Sequence, residues 1–289
     1  MSANLLKRIL FAVVAIPAVL ALIWYGGYPL AIMVAIAGVL GTREVYDLAR
    51  RQRIEPAQEL GLVTVLVFAP AGYLALSAMW ESWWMLVAGF YAGAVWVMLV
   101  LVWALWKRPP GQKPLAASAI TVFGVVYAGL LPAFIVILRH SGGYGIRSLE
   151  GTALVFFPLI VTWVCDTAAM FGGMAFKGPK FAPIVSPGKT WSGTVSGVVG
   201  GLAAAPLYNV LVFQPLGFEF PVWKLLVCAG LWSVVGQIGD LAESLLKREA
   251  GVKDSSSLIP GHGGVLDRLD SLYFVLPTAV ALYRLLGIR

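Results

Sequence analysis

Histidine and cysteine are nearly missing from this chain, with two of each in 289 residues. Cys165 and Cys228 both stand inside apolar stretches, so neither a disulfide framework nor a zinc site is expected. Charge is scarce as well: 12% of the residues are Asp, Glu, Lys or Arg, against 60% hydrophobic, and the mean hydropathy is +0.85. That balance excludes an ordinary soluble domain and points to a polytopic membrane protein. No stretch has a disordered composition and no long linker divides the chain, so a single membrane domain over 1–289 is expected. The net charge of +7 could suit a nucleic acid. The basic residues, however, fall in short loops between apolar runs, where they set topology and meet anionic lipid or phosphate. The expected partner is therefore the lipid bilayer, with no nucleic acid. Lys7 and Arg8 before an apolar run imitate a signal peptide, but the run continues to Tyr25 without a small-residue cleavage pattern, so an uncleaved first span is expected.

What the chain does have is length of apolar run. About 20 apolar residues in a helix cross a hydrocarbon core of roughly 30 Å. The expected spans are 6–25, 28–48, 60–79, 84–105, 117–138, 151–173, 193–213, 222–243 and 265–286, which makes nine helices and an all-α fold. The runs are too continuous for the alternation of a membrane barrel, and backbone satisfaction in lipid favours helices. Gly193, Gly197 and Gly201 repeat at small-xxx-small spacing, which would bring the seventh span close to a neighbour. With the N-terminus inside, most Lys and Arg fall on the inner side, and Arg139, Arg147, Lys224, Arg284 and Arg289 fall outside. This obeys the positive-inside rule, and it places the polar loops 174–192 and 244–264 together on the cytoplasmic face.

Against so little charge, residues 244–270 are crowded: Lys247, Arg248, Glu249, Lys253, Asp254, Asp267, Arg268 and Asp270, together with His262. Asp166 and Asp240 stand within apolar helices, and Asp267 and Asp270 stand at the entry of the last span. A carboxylate at membrane depth costs about 2.5–3.5 kcal/mol on insertion scales, so each needs a partner or an aqueous cavity. Asp267 and Asp270, spaced i, i+3, would share a helical face, as would Asp240, Glu243 and Lys247. Carboxylates at one membrane level beside loops rich in Lys and Gly point to a divalent cation with phosphate ligands, since Mg²⁺ takes one or two carboxylates and completes its octahedron with phosphate oxygens and water. The plainer alternative is that each acid pairs with Arg268, Lys247 or Arg248 and only fixes helix packing.

The loops supply a phosphate-binding half. Ser186 to Gly193 reads SPGKTWSG: a Pro-Gly turn, then Lys189 and Thr190 immediately before a helix start, where backbone amides favour anions. The Walker spacing is absent. In PGHGG, residues 260–264, three glycines surround His262 and allow close backbone approach to a ligand.

Residues 239–272, GDLAESLLKREAGVKDSSSLIPGHGGVLDRLDSL, closely resemble the signature of phosphatidate cytidylyltransferases, also called CDP-diacylglycerol synthases. That signature runs from a serine through Lys-Arg, Lys-Asp and a Pro-Gly-His-Gly-Gly turn to Asp-Arg-x-Asp. It is matched here by Ser244, Lys247, Arg248, Lys253, Asp254, residues 260–264, Asp267, Arg268 and Asp270. A looser match covers residues 166–193, from an Asp-Ser/Thr-x-Ala start to a Ser-Pro-x-Lys-Thr-Trp end, whereas spans 1–150 match in hydropathy alone. The resemblance implies variable N-terminal spans (1–150) and catalytic C-terminal spans (151–289) in a bacterial inner-membrane enzyme. It also implies condensation of CTP with phosphatidic acid to CDP-diacylglycerol and pyrophosphate.

By the same resemblance, Asp240, Asp267, Asp270 and Asp166 would hold one or two Mg²⁺ ions. Lys189, Lys247, Arg248 and Arg268 would hold phosphates, and His262 would donate to or position one. Ser186, Thr190, Lys177, Lys180, Lys253, Gly263 and Gly264 complete the substrate-binding set. The chain departs from the family pattern at Met170, usually aromatic, at Met174, usually Lys or Arg, and at Ser192, usually an acid or amide. These departures shift the triphosphate's expected charge partners onto Lys177 and Lys180. The alternatives are a CTP-dependent lipid kinase, a nucleotidyltransferase for another membrane lipid, a transporter and a catalytically weak paralogue. A homodimer is left open.

Overall fold

The computed structural model describes residues 3–77, 83–259 and 263–288. It is helical almost throughout: α1 (Ala3–Tyr25), α2 (Gly27–Arg51), α3 (Gln58–Ser77), α4 (Trp83–Lys107), α5 (Pro114–Gly124), α6 (Leu131–His140), α7 (Leu149–Phe176), α8 (Trp191–Tyr208), α9 (Val222–Glu249), α10 (Leu266–Leu269) and α11 (Leu272–Leu286). Among the described residues the strands are β1 (Lys180–Ala182) and β2 (Ser186–Thr190), an antiparallel pair between α7 and α8.

Eight helical segments among the described residues are long and apolar enough to cross a membrane. They correspond to the second through ninth expected spans. The first, 6–25, falls on α1, whose apolar stretch Ala15–Tyr25 is shorter. The fifth, Pro114–His140, is assembled from α5, a π-helical turn (Val125–Leu130) and α6. The chain is thus an all-α integral membrane protein.

The chain forms two compact units. The first comprises Met1–Ala18, Gly27–Ile137 and Glu249–Arg268; the second comprises Val19–Gly26, Leu138–Arg248 and Leu269–Arg289. In the first unit Tyr46 of α2 is the central side chain. Its ring fills the space beside Gly61 of α3 and Gly124 of α5, where any Cβ would overlap it, and its hydroxyl donates to Thr121 O at 2.9 Å. Thr42, one turn earlier, donates to Gly124 O at 3.1 Å. Two polar groups are thereby satisfied inside an otherwise apolar interface, as burial requires.

In the second unit α8 lies on α7 with almost no side chain between them. A Cβ on Gly193 would sit 2.8 Å from Ala169 O, and one on Gly197 would sit 3.0 Å from Cys165 O. Gly201 instead makes room for the Ser233 side chain of α9. All three glycines are buried, so the small-xxx-small repeat is a packing seam, as its spacing predicts. Gly197→Val is accordingly expected to lower stability by about 1–3 kcal/mol through overpacking. Thermal unfolding in detergent measures this, and an unchanged midpoint would contradict the close approach. Beside the seam, Phe157 meets Tyr208, Phe213 and Trp232 in edge or stacked contacts with centroids 5.2–5.3 Å apart, and forms the aromatic heart of the unit. Arg139 is fully enclosed and donates to Ile23 O at 2.8 Å and Trp24 O at 2.7 Å, covering carbonyls left open at the end of α1.

Candidate functional site

The residues singled out from sequence fall into two groups, one in each unit. In the second unit the hairpin β1–β2 delivers Lys189 and Thr190 to the head of α8. Thr190 is the N-cap, its hydroxyl accepting from Gly193 N at 3.2 Å. The helix start after Lys-Thr is therefore as expected, but Ser186, Pro187 and Gly188 form strand rather than turn. The two-stranded pair has open edges, where a proline's missing N–H costs no ladder bond. Lys189 reaches α9: its Nζ lies 2.7 Å from Asp240 Oδ2 and 3.5 Å from Gln237 O. Asp240 Oδ1 accepts from Ser244 Oγ at 3.3 Å, one turn along the helix.

The next turn of α9 holds a second pair. Glu243 is fully buried, and Lys247 Nζ lies 2.9 Å from its Oε1. Lys247 is thus committed to Glu243, the acid four residues before it. Arg248 is exposed and donates to Val185 O at 3.2 Å, tying the end of α9 to the hairpin. Lys177 ends α7 with a positive φ of 53°, its carbonyl accepting from Ser192 Oγ, and Lys180 is exposed on β1.

Asp166, Asp240 and Asp270 lie within electrostatic reach of one another, with Lys189 and Lys247 as the opposing cations. Asp270 follows α10 in a turn, its Oδ1 accepting from Ser271 N at 2.6 Å. The helix ladder is therefore interrupted between Asp267 and Asp270, which do not sit on one regular helix as their spacing predicts. α9 approaches this turn closely: a Cβ on Gly239 would lie 2.8 Å from Asp270 O. Asp166 stands in the middle of a membrane-length helix, yet its side chain is exposed rather than enclosed by protein. A carboxylate so placed needs water or a polar ligand beside it.

Among the described residues no three His, Cys, Asp or Glu side chains are already gathered for a metal ion. The donor set nonetheless fits Mg²⁺: the oxygens are hard, the carboxylates repel one another, and this ion takes one or two carboxylates and keeps water and phosphate for the rest. A protein-made cage is not required.

In the first unit the residues between α9 and α10 are held by two carboxylates. Asp267 Oδ2 accepts from Ser255 N at 2.9 Å, Ser255 Oγ at 2.8 Å and Gly264 N at 2.8 Å. Gly263, at φ +79°, has no room for a Cβ, which would lie 2.6 Å from Asp267 Oδ2. Lys253 and Arg268 are exposed. Pro260, Gly261 and His262 lie outside the described residues.

The second carboxylate is one the sequence reading passed over. Glu44 of α2, 3% exposed, accepts from Ser255 Oγ, Ser256 Oγ, Val265 N and Leu266 N at 2.7–3.0 Å. A signal was present, because an acid inside a membrane span demands partners wherever it occurs.

A profile of the Cytidylyltransferase family matches residues 6–286. Among curated proteins the chain is similar to a phosphatidate cytidylyltransferase of Brucella suis, 35% identical over 98% of this chain and 93% of the relative. Proteins of the same name match from Haemophilus influenzae, 31% identical over 94% of this chain and 96% of the relative, and from Bacillus subtilis, 30% identical over 94% of each.

Proposed function

We propose that this chain, which belongs to the cytidylyltransferase family, condenses CTP with phosphatidic acid, giving CDP-diacylglycerol and pyrophosphate. The observation that carries the reading is the Lys189–Asp240 pair, set where a carboxylate cluster meets the capped head of α8. Cations and helix-end amides bind phosphate, and clustered carboxylates suit the cation that accompanies a triphosphate. The lipid setting of the same residues suits a substrate with one end in the bilayer.

Chemically, an oxygen of the lipid phosphate attacks the α-phosphorus of CTP, the bond to the β-phosphate oxygen breaks, and pyrophosphate departs. A phosphate monoester is already largely ionised near neutral pH, so no strong base is required. The protein's task is alignment and charge neutralisation. Lys189 and Arg248 bind phosphate oxygens, with Lys177 and Lys180 adding positive charge along the hairpin. Asp240, Asp270 and Asp166 would hold Mg²⁺. When bound, the cation neutralises charge on the triphosphate and leaving group. Lys247 orients Glu243 and lends its charge to the carboxylate cluster, and His262 donates to phosphate. The active residues face the cytoplasm of a bacterial inner membrane, in keeping with the distribution of Lys and Arg.

The test is a detergent assay with labelled CTP and phosphatidic acid in which both products are measured. Pyrophosphate with CDP-diacylglycerol is the expected outcome; release of CDP with a phosphorylated lipid would mean a kinase. A second check uses Met174, which is exposed near the end of α7, three residues before Lys177. Met174→Arg is expected to lower the KM for CTP, by about tenfold or more for one charge-assisted contact, and to leave that for phosphatidic acid unchanged. An unaltered KM in a well-folded variant would remove this turn from the nucleotide site.

A further inference from the structure

The loop between α9 and α10 begins and ends on the same foreign side chain. Ser255 and Ser256 enter it, Val265 and Leu266 leave it, and Glu44 binds all four. Between them Ile259 N donates to Gly263 O at 2.9 Å. Glu44 lies 211 residues before Ser255 in sequence, on α2.

The four groups on Glu44 are neutral donors, and their arrangement requires a carboxylate. Oε2 takes Ser255 Oγ at 2.9 Å and Leu266 N at 2.9 Å; Oε1 takes Ser256 Oγ at 2.7 Å and Val265 N at 3.0 Å. Each oxygen therefore serves one hydroxyl and one backbone N–H. A glutamine here would turn its NH₂ toward one side. The hydroxyl there could rotate and accept, but the backbone N–H could not, and a buried donor would be left facing a donor. Gly264 fits the same demand, since a Cβ there would overlap both Glu44 oxygens and Ser255 Oγ.

Ser255 ties this clamp to Asp267. Its single hydroxyl proton faces Glu44 Oε2 at 2.9 Å and Asp267 Oδ2 at 2.8 Å, so it donates to one carboxylate at a time. Any change in the charge around Asp267 is then felt at Glu44 through that proton.

We propose that Glu44 is a positioning residue: it holds Ser255, Ser256, Val265 and Leu266, the residues around the Asp267 carboxylate, in place, and turnover of CTP depends on it. This rests on the cytidylyltransferase reading given above, and it makes α2 a working part of the enzyme rather than a membrane anchor.

Hydrogen exchange of the full-length protein in detergent tests it directly, because Val265 and Leu266 amides are themselves bound to Glu44. In Glu44→Gln, exchange is expected to rise about tenfold to a hundredfold at whichever of these two amides faces the NH₂, the worth of a hydrogen bond to a charged group, and less at the other. Exchange across α3 and α5 should stay as it was. In the same variant kcat/KM for CTP should fall tenfold or more, with the KM for phosphatidic acid little changed. Ser256→Ala, which removes one donor and leaves the carboxylate in place, should show the same pattern more weakly. Unchanged exchange at Val265 and Leu266 would overturn the proposal. So would a rise spread evenly over α2, α3 and α5, which would make Glu44 a core residue only. The exchange result does not depend on the substrate: if CDP-diacylglycerol is not the product but the two amides respond, the clamp stands and the activity assignment falls.

Discussion

Asp240→Asn is expected to leave the protein inserted and folded while cutting cytidylyl transfer by about 10²–10³-fold, the usual cost of losing one preorganised charge contact in an active site. Asparagine keeps the shape and can still accept from Ser244, which lies 3.3 Å away in the native protein. What it loses is the negative charge that holds Lys189 Nζ at 2.7 Å and that would draw a divalent cation. If the pair only fixes packing, a double variant, Asp240→Asn with Lys189→Met, should recover activity, because neither charge is then stranded. Recovery would remove Asp240 and Lys189 from the chemistry. A double variant as inactive as either single one places both in it.

Asp267→Asn is expected to be nearly as damaging, for a reason that separates two roles. Asp267 Oδ2 gathers three loop donors, and the asparagine carbonyl oxygen can occupy the same position and accept from the same groups. The loop therefore keeps its stitching while the charge disappears. A loss of orders of magnitude at saturating Mg²⁺ would show that the charge itself is needed, as cation binding requires. Turnover near that of the wild type would reduce Asp267 to a loop-shaping residue. Asp267→Ala would then still be impaired, having lost the acceptor as well.

Sequence reading recovered the parts of this protein whose cause is local. Long apolar runs read as membrane-length helices, because length and hydropathy are what the bilayer selects. The spacing of Gly193, Gly197 and Gly201 announced a close helix contact, and Lys189 and Thr190 were placed correctly just before α8. The failures have a common origin in long-range partners. Nothing near Glu44 says that four donors from residues 255–266 will converge on it. The interruption at Asp270 was hidden for another reason. Leu-Asp-Arg-Leu-Asp-Ser has helical spacing throughout, but the Asp270 side chain bonds Ser271 N, the kind of local competition with the helix ladder that short polar residues offer. The hairpin was missed because a pairing as short as Lys180–Ala182 with Ser186–Thr190 carries no hydrophobic alternation.

The glycine seam between α7 and α8 limits how this protein can move. Where two helices meet through side chains, small rotamer changes let them slide past each other by fractions of an ångström. Here backbone carbonyls face glycines, with Ala169 O and Cys165 O at 2.8 and 3.0 Å from the missing Cβ positions, and few rotamers are left to adjust. Sliding would bring Val or Ser of α8 against a carbonyl until the next glycine came into register, four residues or about 6 Å further along. The contact behaves as a latch with a coarse pitch, not a bearing. Asp166 on α7 and Thr190 at the head of α8 are therefore held at a fixed separation through a catalytic cycle. Any opening that admits a nucleotide then falls to the hairpin and the loops, through exchange of their side-chain hydrogen bonds, while the two long helices travel as one rod.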